Sequence, residues 1–309
     1  MARKIILDVD PGVGDALAVC LALAQPELEV VAITATGGNV SPRQASRNVQ
    51  ALVEHLDPPR WPRIGFASED QPLRTDGREL WGSDGFCGAE LGMVELHQQH
   101  PSTKVLAEEV RSASGEVTII AGGPLTNIAG LLQREADIAM LIGHLIIVGG
   151  TLEGPGDVTA AAEFNIYCDA DAAQRVFRSP VTKTLLPRDV TSRAALTFDL
   201  LNVLPDESTG AGRVLRALLP GALQSYRQRL GLECMYVPEA VAVAAAIHPE
   251  LLTTESWPCD VETDGVLTHG ATVIDRRRHT LERGHMDVAV KLDARGALDC
   301  IRGGLQRSY

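Results

Sequence analysis

The chain has 309 residues, of which 45% are hydrophobic and 22% are charged, and its formal net charge is −12. A chain of this size can bury a large core without disulfides or a structural metal, so a metal site in it would serve function rather than folding. The acidic balance, with no Lys/Arg-rich stripe, excludes the usual pattern of a nucleic-acid binder and suits neutral or cationic ligands.

The sequence also gives expectations about compartment. No apolar window approaches the roughly 20 residues that span a bilayer, and the N-terminal segment MARKIILDVD turns polar too early for a signal peptide. Six scattered cysteines lack zinc-type spacing, which favours free thiols in a reducing compartment. We therefore expect a cytoplasmic protein with no membrane or nucleic-acid partner.

Along the chain, short apolar runs alternate with amphipathic, Ala- and Leu-rich segments. The predicted strands are Lys4–Asp8, Leu28–Thr34, Arg63–Phe66, Glu116–Ala121, Leu145–Val148 and Val181–Leu185. The predicted helices are Asp15–Ala24, Pro42–His55, Lys104–Ala113, Leu125–Arg134 and Ala170–Arg178. This alternation predicts one α/β domain over 1–309, with a mostly parallel sheet, helices on both faces and a helical lobe around 196–232.

Glycine pairs follow several predicted strands, at Gly37–Gly38, Gly122–Gly123 and Gly149–Gly150. Glycine permits close backbone approach to a ligand, and ligands of open α/β sheets bind at the carboxyl ends of strands. Polar residues beside these pairs are therefore candidate site residues.

The strongest local signal is the acidic motif KIILDVDPGVGDALAVCLAL. Asp8 and Asp10 share one face of a strand because side chains alternate, and Asp15 falls in the first turn of the next helix. Carboxylates that converge without a basic neighbour require a cation, and oxygen ligands favour Ca²⁺ or Mg²⁺. Alternatively, Asp15 caps its helix and Asp8 hydrogen-bonds backbone in a turn.

This motif resembles DxDPGxDDA, the signature of the inosine-uridine preferring nucleoside hydrolases. Further segments are similar to that family across most of the chain. They are GGNVSPRQASRN with Asn39 and Asn48, AGGPLTNIA with Thr126, AAEFNIYCDADAA with Glu163 and Asn165, and PRDVT. Each of these motifs taken singly is weaker evidence for a functional site, since Asn39 could be a turn residue and Thr126–Asn127 could cap a helix.

The resemblance implies a Rossmann-like nucleoside hydrolase fold and hydrolysis of the N-glycosidic bond of a nucleoside or related ribosyl compound. It implies Ca²⁺ held by Asp10, Asp15, the carbonyl of Thr126 and the residue at position 239, with Asp10 as the general base. Asn39, Glu163 and Asn165 would hold the sugar hydroxyls. A role in purine or pyrimidine salvage and a homodimer or homotetramer are also implied.

Five positions depart from the family pattern: Gly14 and Glu239 replace Asp, Asp157 replaces Asn, and Trp81 and Pro238 stand where the family has His. We expect Glu239 to remain a metal ligand, because Ca²⁺ sites tolerate an extra methylene. Gly14 and Asp157 together suggest a carboxylate moved across the sugar, and hence a sugar other than plain ribose.

Pro238 has no proton to give the leaving base. Tyr236 could substitute for the missing His, or the base could already carry a proton. Trp81 would either stack on the base or be a half-buried surface aromatic. Enzymatic activity could therefore be altered or reduced.

Two alternatives remain from the sequence. One is a non-catalytic or weakly active binder of nucleosides or ribosyl metabolites, with the same fold. The other is a Mg²⁺-dependent phosphatase that uses the first aspartate as nucleophile, with Lys183 as its late lysine.

Overall fold

A mostly parallel β-sheet with helices on both faces forms the framework of the protein, as predicted. The computed structural model describes residues 2–89, 91–92, 99–277 and 285–307. The strands are β1 (Arg3–Val9), β2 (Leu28–Ala35), β3 (Arg63–Gly65), β4 (Thr118–Ala121), β5 (His144–Val148), β6 (Lys183–Leu186), β7 (Ala195–Thr197), β8 (Cys234–Tyr236), β9 (Leu252–Val261), β10 (Thr272–Ile274) and β11 (His285–Leu292).

The α-helices lie between these strands in chain order. They are α1 (Val13–Leu23), α2 (Pro42–Leu56), α3 (Arg78–Trp81), α4 (Ser102–Ser112), α5 (Thr126–Arg134), α6 (Phe164–Cys168), α7 (Ala170–Arg178), α8 (Arg188–Thr191), α9 (Gly210–Ser225), α10 (Pro238–Ile247) and α11 (Ala294–Gln306). Short 3₁₀ helices cover Ala136–Met140, Phe198–Val203 and Pro249–Leu251, and a π-helical turn covers Tyr226–Leu230.

Within the described residues, nine strands form the main sheet in the order β10-β9-β11-β6-β5-β4-β1-β2-β3. The neighbours from β11 to β3 pair in parallel, whereas β9 pairs antiparallel with both β11 and β10. Strand β1 lies between β2 and β4, so the strand order reverses there, and ligands of such sheets bind at this reversal. A separate antiparallel pair joins β7 and β8.

The core occupies both faces of the sheet. Alternation along β1 sends Ile5 and Leu7 into a cluster with α1, α2, α9, α10 and α11, and Ile6 into a cluster with α4, α5 and α7. Helix α1 is buried almost all round, which its Ala, Leu and Val content allows. None of the helices in the described part of the chain is long and apolar enough to cross a membrane.

The six predicted strands and five predicted helices are all present, with ends shifted by one or two residues. The segment 196–232 is mainly helical, through α9, the 3₁₀ helix before it and the π-helical turn after it. Its description as a lobe of a single domain stays a prediction. The antiparallel strands β9, β10 and β11 were not predicted.

Candidate active site

The two aspartates of the first strand lie at the point where the strand order reverses, but they have different surroundings. Asp8 is fully buried in β1, and its Oδ1 accepts hydrogen bonds from Thr34 Oγ1 at 2.6 Å and Asn127 Nδ2 at 2.8 Å. It does not line the adjoining cavity. Asp8 is therefore anchored behind the site, which counts against a phosphatase that uses it as nucleophile.

Asp10 follows β1 and is held against the ends of two neighbouring strands. Its Oδ2 accepts a hydrogen bond from the backbone N–H of Asn39 at 2.6 Å. A β-carbon at Gly38 would lie 2.0 Å from Oδ2, and one at Gly123 would lie 2.7 Å from Oδ1. The predicted glycines after β2 and β4 thus provide the space that the Asp10 carboxylate occupies.

The sequence left open whether Asp15 caps its helix or binds a cation, and its two carboxylate oxygens have different surroundings. Its Oδ2 accepts a hydrogen bond from the backbone N–H of Gly12 at 3.2 Å, which helps to satisfy the start of α1. Its Oδ1 is buried and, like Oδ1 of Asp10 and Oδ2 of Asp8, has no hydrogen-bond partner within the described residues. A buried carboxylate oxygen without a donor is costly unless it takes a proton or a cation.

Glu239 brings a third carboxylate to the same place from the first turn of α10. A β-carbon at Gly122 would lie 3.0 Å from Oδ1 of Asp15 and 3.3 Å from Cγ of Glu239. Asp15 and Glu239 therefore border a common point at the end of β4. Asp10, Asp15 and Glu239 thus lie near one another at the sheet's rim, whereas their role as metal ligands stays a prediction.

Burial raises the pKa of each of these carboxyl groups, and repulsion from neighbouring carboxylates adds to the effect at Asp10, Asp15 and Glu239. For Asp15, burial raises the pKa to about 7, and for Asp8 burial raises the pKa to about 6. Burial, and then the charge of Asp15, raises the pKa of Asp10 and of Glu239 well above the ordinary range. No basic side chain is among the groups that perturb these four carboxyls, so protons or a cation must offset their charge.

These observations fit a divalent cation in two respects. The donor atoms are carboxylate oxygens, which Ca²⁺ and Mg²⁺ prefer, and unpartnered oxygens of Asp10 and Asp15 are buried beside the cavity. Across the described ranges, no group of three or more His, Cys, Asp and Glu side chains already stands in metal-binding arrangement. The donor atoms are therefore of the kind that a divalent cation prefers, whereas the binding of Ca²⁺ stays a prediction.

Thr126 opens α5 after the glycine pair at the end of β4. Its hydroxyl donates to Oδ2 of Asp169 at 2.7 Å, which ties α5 to the start of α7. It does not cap α5 through its side chain, because the N-cap position is Leu125 and has no side-chain hydrogen bond. A role for the Thr126 carbonyl as a metal ligand stays a prediction.

The predicted sugar-binding residues Glu163 and Asn165 lie beside the ends of β4 and β5. Oε2 of Glu163 accepts hydrogen bonds from Gly150 N at 2.9 Å and Ile166 N at 3.2 Å. The amide of Asn165 donates to the Gly122 carbonyl at 2.7 Å and the Val148 carbonyl at 3.1 Å. Because both amide hydrogens are used, the amide oxygen of Asn165 is the atom available to a ligand hydroxyl.

Asp157 also borders the cavity, where it pairs with a residue that the sequence analysis did not single out. Nε of Arg188 donates to Oδ2 of Asp157 at 3.0 Å, and both side chains are about one-third exposed. Burial raises the pKa of Asp157. Burial, followed by the charge of Asp157, raises the pKa of Glu163 to about 8. Arg188 thus supplies a positive charge that partly offsets the effect of burial on Asp157.

Aromatic side chains form another part of the cavity wall. Trp81 is 7% exposed, so it is not a half-buried surface residue. Its ring lies 5.8 Å from that of Tyr226, which in turn lies 6.2 Å from that of Tyr236. A β-carbon at Gly77 would lie 2.6 Å from Asn39 Oδ1 and 2.9 Å from Trp81 Cδ1, so this wall adjoins Asn39.

These residues surround one cavity of about 470 Å³, a volume suited to a small metabolite. Its lining includes the predicted Asp15, Asn39, Trp81, Asp157, Glu163, Asn165 and Glu239. Asp10 and Thr126 are not in the lining. Asp10 is 1% exposed and lies behind it.

The lining residues that the sequence analysis missed include the charged Asp76, Glu79 and Arg188 and the aromatic Tyr226. Arg188 comes two residues after β6, so the strand-end rule could have found it. Tyr226 lies on the π-helical turn, Glu79 lies on the short helix α3, and Asp76 lies just before that helix. No local sequence pattern marks these positions as part of a site.

Comparisons with known proteins identify relatives over the full chain. The sequence profile described as inosine-uridine preferring nucleoside hydrolase matches residues 5–299. The pyrimidine-specific ribonucleoside hydrolase RihA of Salmonella paratyphi C is 34% identical over 312 residues, with 99% of each chain covered.

Solved structures agree in fold over the same length. A plant nucleoside hydrolase, PpNRh1, superposes with a TM-score of 0.91 at 27% identity, with 99% of each chain covered. A purine-preferring ribonucleoside hydrolase from Gardnerella vaginalis has a TM-score of 0.89 at 29% identity, with 98% of this chain and 99% of that chain covered.

Proposed function

Since this chain belongs to the inosine-uridine preferring nucleoside hydrolase family, and is therefore an N-glycosyl hydrolase of ribonucleosides, we propose that it acts through a Ca²⁺ site with Asp10 as general base. The observation that carries this proposal is the set of buried carboxylates at the rim of the sheet. Their unpartnered oxygens and lack of basic neighbours require an offsetting charge.

Asp10, Asp15, Glu239 and the carbonyl of Thr126 would hold the cation. When bound, it would offset the repulsion among these carboxylates and lower the pKa of water at the site. Magnesium would use similar ligands, but Ca²⁺ better tolerates the longer Glu239.

Asp10 is suited to take the proton of the attacking water. Its Oδ2 is fixed by the N–H of Asn39, and its Oδ1 has no partner, so Oδ1 is the atom free to accept that proton. The water oxygen attacks C1′ of the sugar while the C1′–N bond breaks through an oxocarbenium-like transition state. The electron pair of the broken bond remains on the base.

Glu163, Asn165 and Asn39 would orient the sugar. The backbone bonds of Glu163 and Asn165 fix their side chains before a ligand arrives, which avoids an ordering cost on binding. A site that hydrogen-bonds hydroxyls rejects analogues that lack them, because its polar groups remain unpaired. The Arg188–Asp157 pair borders this region and could alter the sugar that fits, as Gly14 also could.

The aromatic wall would hold the base. Trp81, Tyr226 and Tyr236 offer ring faces on which a planar heterocycle can stack. Two of the named relatives differ in base preference, being pyrimidine-specific and purine-preferring, so we leave the base open at this point. Homo-oligomeric assembly and a role in salvage remain expectations from the family resemblance, and a cytoplasmic location remains an expectation from the sequence.

The test is release of free base. The protein is incubated with Ca²⁺ and a panel of ribonucleosides, and the products are separated by chromatography, with Asp10→Ala as control. We expect base and free sugar from at least one nucleoside with the native protein, and no release with the variant. Calorimetric binding of a ribose analogue without base release over hours would instead support the non-catalytic binder.

A further inference from the structure

The charge of the cavity is strongly one-sided. The described lining contains a single basic side chain, Arg188, and its guanidinium is already paired with Asp157. It contains six carboxyl side chains: Asp15, Asp76, Glu79, Asp157, Glu163 and Glu239. A divalent cation held by Asp15 and Glu239 together with Asp10 would offset only part of this charge. Asp157 and Asp76 are paired with Arg188 and Arg78, and Glu163, with a pKa of about 8, is largely protonated at neutral pH. The charge of the exposed Glu79 therefore remains, and it favours a cationic ligand over a neutral or anionic one.

One of the six carboxylates stands on the same short helix as the main aromatic residue. Glu79 and Trp81 both belong to α3, and Glu79 makes no hydrogen bond or ion pair with the described residues, whereas Asp76 is paired with Arg78 at 2.7 Å. The faces of Trp and Tyr rings attract cations. The base end of the cavity therefore combines ring faces with an uncompensated carboxylate.

The same lining contains few groups that could give a proton to the leaving base: the hydroxyls of Tyr226 and Tyr236, and the carboxyl of Glu163, whose pKa is about 8 and which lies beside Asn165. Among the described lining residues there is no His, Lys or Cys, and Pro238 stands beside Glu239 at the start of α10. When the C1′–N bond of a neutral nucleoside breaks, the electron pair passes to a ring nitrogen, which must be protonated for the base to leave readily. A base that already carries a fixed positive charge leaves as a neutral molecule and needs no proton.

We propose that the preferred substrate is a ribonucleoside whose base carries a fixed positive charge, such as an N-ribosyl pyridinium. This inference rests on the proposed hydrolysis and narrows its substrate class. Water adds its oxygen to C1′, the C1′–N bond breaks, and its electron pair neutralises the ring cation. One proton from the water passes to Asp10 and then to solvent, so each turnover releases one neutral base, one free sugar and one proton.

The experiment compares kcat/KM for the N-ribosylnicotinamide cation with kcat/KM for uridine and inosine, using the full chain with Ca²⁺. We expect the cation to be favoured by about 100-fold or more, because general acid catalysis of base departure is worth that much and is not needed for it. Proton release followed at constant pH should equal base release for the cation.

A charge-neutralising variant tests the electrostatic part. Glu79→Gln should lower the ratio of kcat/KM for the cation to that for uridine by about fivefold, the effect of one nearby unit charge in water. The matched control is Glu27→Gln, which removes one exposed carboxylate before β2, at the opposite end of the strand, and should leave the ratio unchanged.

The possible outcomes separate a failure of the substrate preference from a failure of the proposed hydrolysis. Uridine or inosine hydrolysed as fast as the cation would overturn this inference and leave the proposed hydrolysis intact. No base release from any of the three compounds would overturn both. A ratio unaffected by Glu79→Gln would also overturn the inference, since the cavity charge would then have no part in selection.

Discussion

The carboxylate of Glu239 occupies the space beside Gly14 that a side chain at position 14 would need. A β-carbon at position 14 would lie 2.6 Å from Oε2 of Glu239. The extra methylene of Glu239 and the missing side chain of Gly14 are therefore complementary. Two positions that depart separately from the family signature in sequence form one unit in the structure.

The first prediction concerns this unit. Gly14→Ala should lower kcat/KM by about tenfold or more, because the Glu239 carboxylate must move and small displacements in a catalytic site are costly. Stability should change little, since the atom that must shift is the end of a side chain. Steady-state kinetics and a thermal melt would measure both effects. Gly303→Ala, in α11 with no atom near the added carbon, is the matched control.

Combining Gly14→Ala with Glu239→Asp tests the coupling directly. The shorter side chain makes room for the new methyl group, so the double variant should lose less activity than the product of the two single losses. If the activity losses of the two single variants simply multiply in the double variant, the side chains at positions 14 and 239 do not compete for the same space.

The second prediction concerns pH in the absence of metal. Burial raises the pKa of Asp15 from 3.8 to about 7, so the folded state prefers the protonated carboxyl. The stability that this group contributes is therefore fully present below about pH 4 and is lost as the pH rises through 7. In the presence of a chelator, Tm should fall as the pH is raised from 5 to 8. Adding Ca²⁺ should raise Tm by more at pH 8 than at pH 5.

Asp15→Asn isolates this contribution. The amide oxygen can still accept from the N–H of Gly12, but the buried charge is gone. We expect the variant to be more stable than the native chain in chelator at pH 8 and to gain less from Ca²⁺. A native chain whose Tm in chelator stays constant or rises from pH 5 to pH 8 would contradict the raised pKa.

The third prediction concerns the Arg188–Asp157 pair. Arg188→Leu leaves the Asp157 carboxylate without its guanidinium partner, next to the carboxyl of Glu163. The KM for a ribonucleoside should therefore rise by about fivefold, which corresponds to about 1 kcal/mol for a partly exposed ion pair. Adding Asp157→Asn removes the uncompensated charge and should restore most of the lost affinity. If the double variant is as impaired as Arg188→Leu alone, Arg188 contacts the substrate itself.

Much of the fold follows from local sequence patterns. Buried apolar runs such as that of β1 and amphipathic helices such as α2 have strong periodicity, and their prediction is confirmed. The C-terminal strands β9 and β11 were missed because buried and exposed positions mix irregularly along each strand, which weakens the local hydrophobic pattern. Their antiparallel pairing depends on contacts between distant segments, which no local window contains.

The candidate site, too, was predictable only where a local sequence pattern marks its residues. Strand-end glycines and acidic motifs indicated where Asp10 and Asp15 would lie, and the structure places both at the sheet's rim. Glu239 and Gly14 were read as independent departures, because their fit depends on two helices that meet only in the folded chain. Tyr226 was missed because it lines the cavity from a helical turn that local sequence describes only as helical.

The most direct test of the account is the rate of base release by metal-stripped protein as Ca²⁺ is added back. We predict negligible release in chelator and a saturable rise with Ca²⁺ for the native chain. For Asp10→Asn, which keeps an oxygen to accept from Asn39, the rate should remain at least about 100-fold lower at saturating Ca²⁺. Full activity in chelator, or full activity of Asp10→Asn, would contradict a mechanism based on these buried carboxylates.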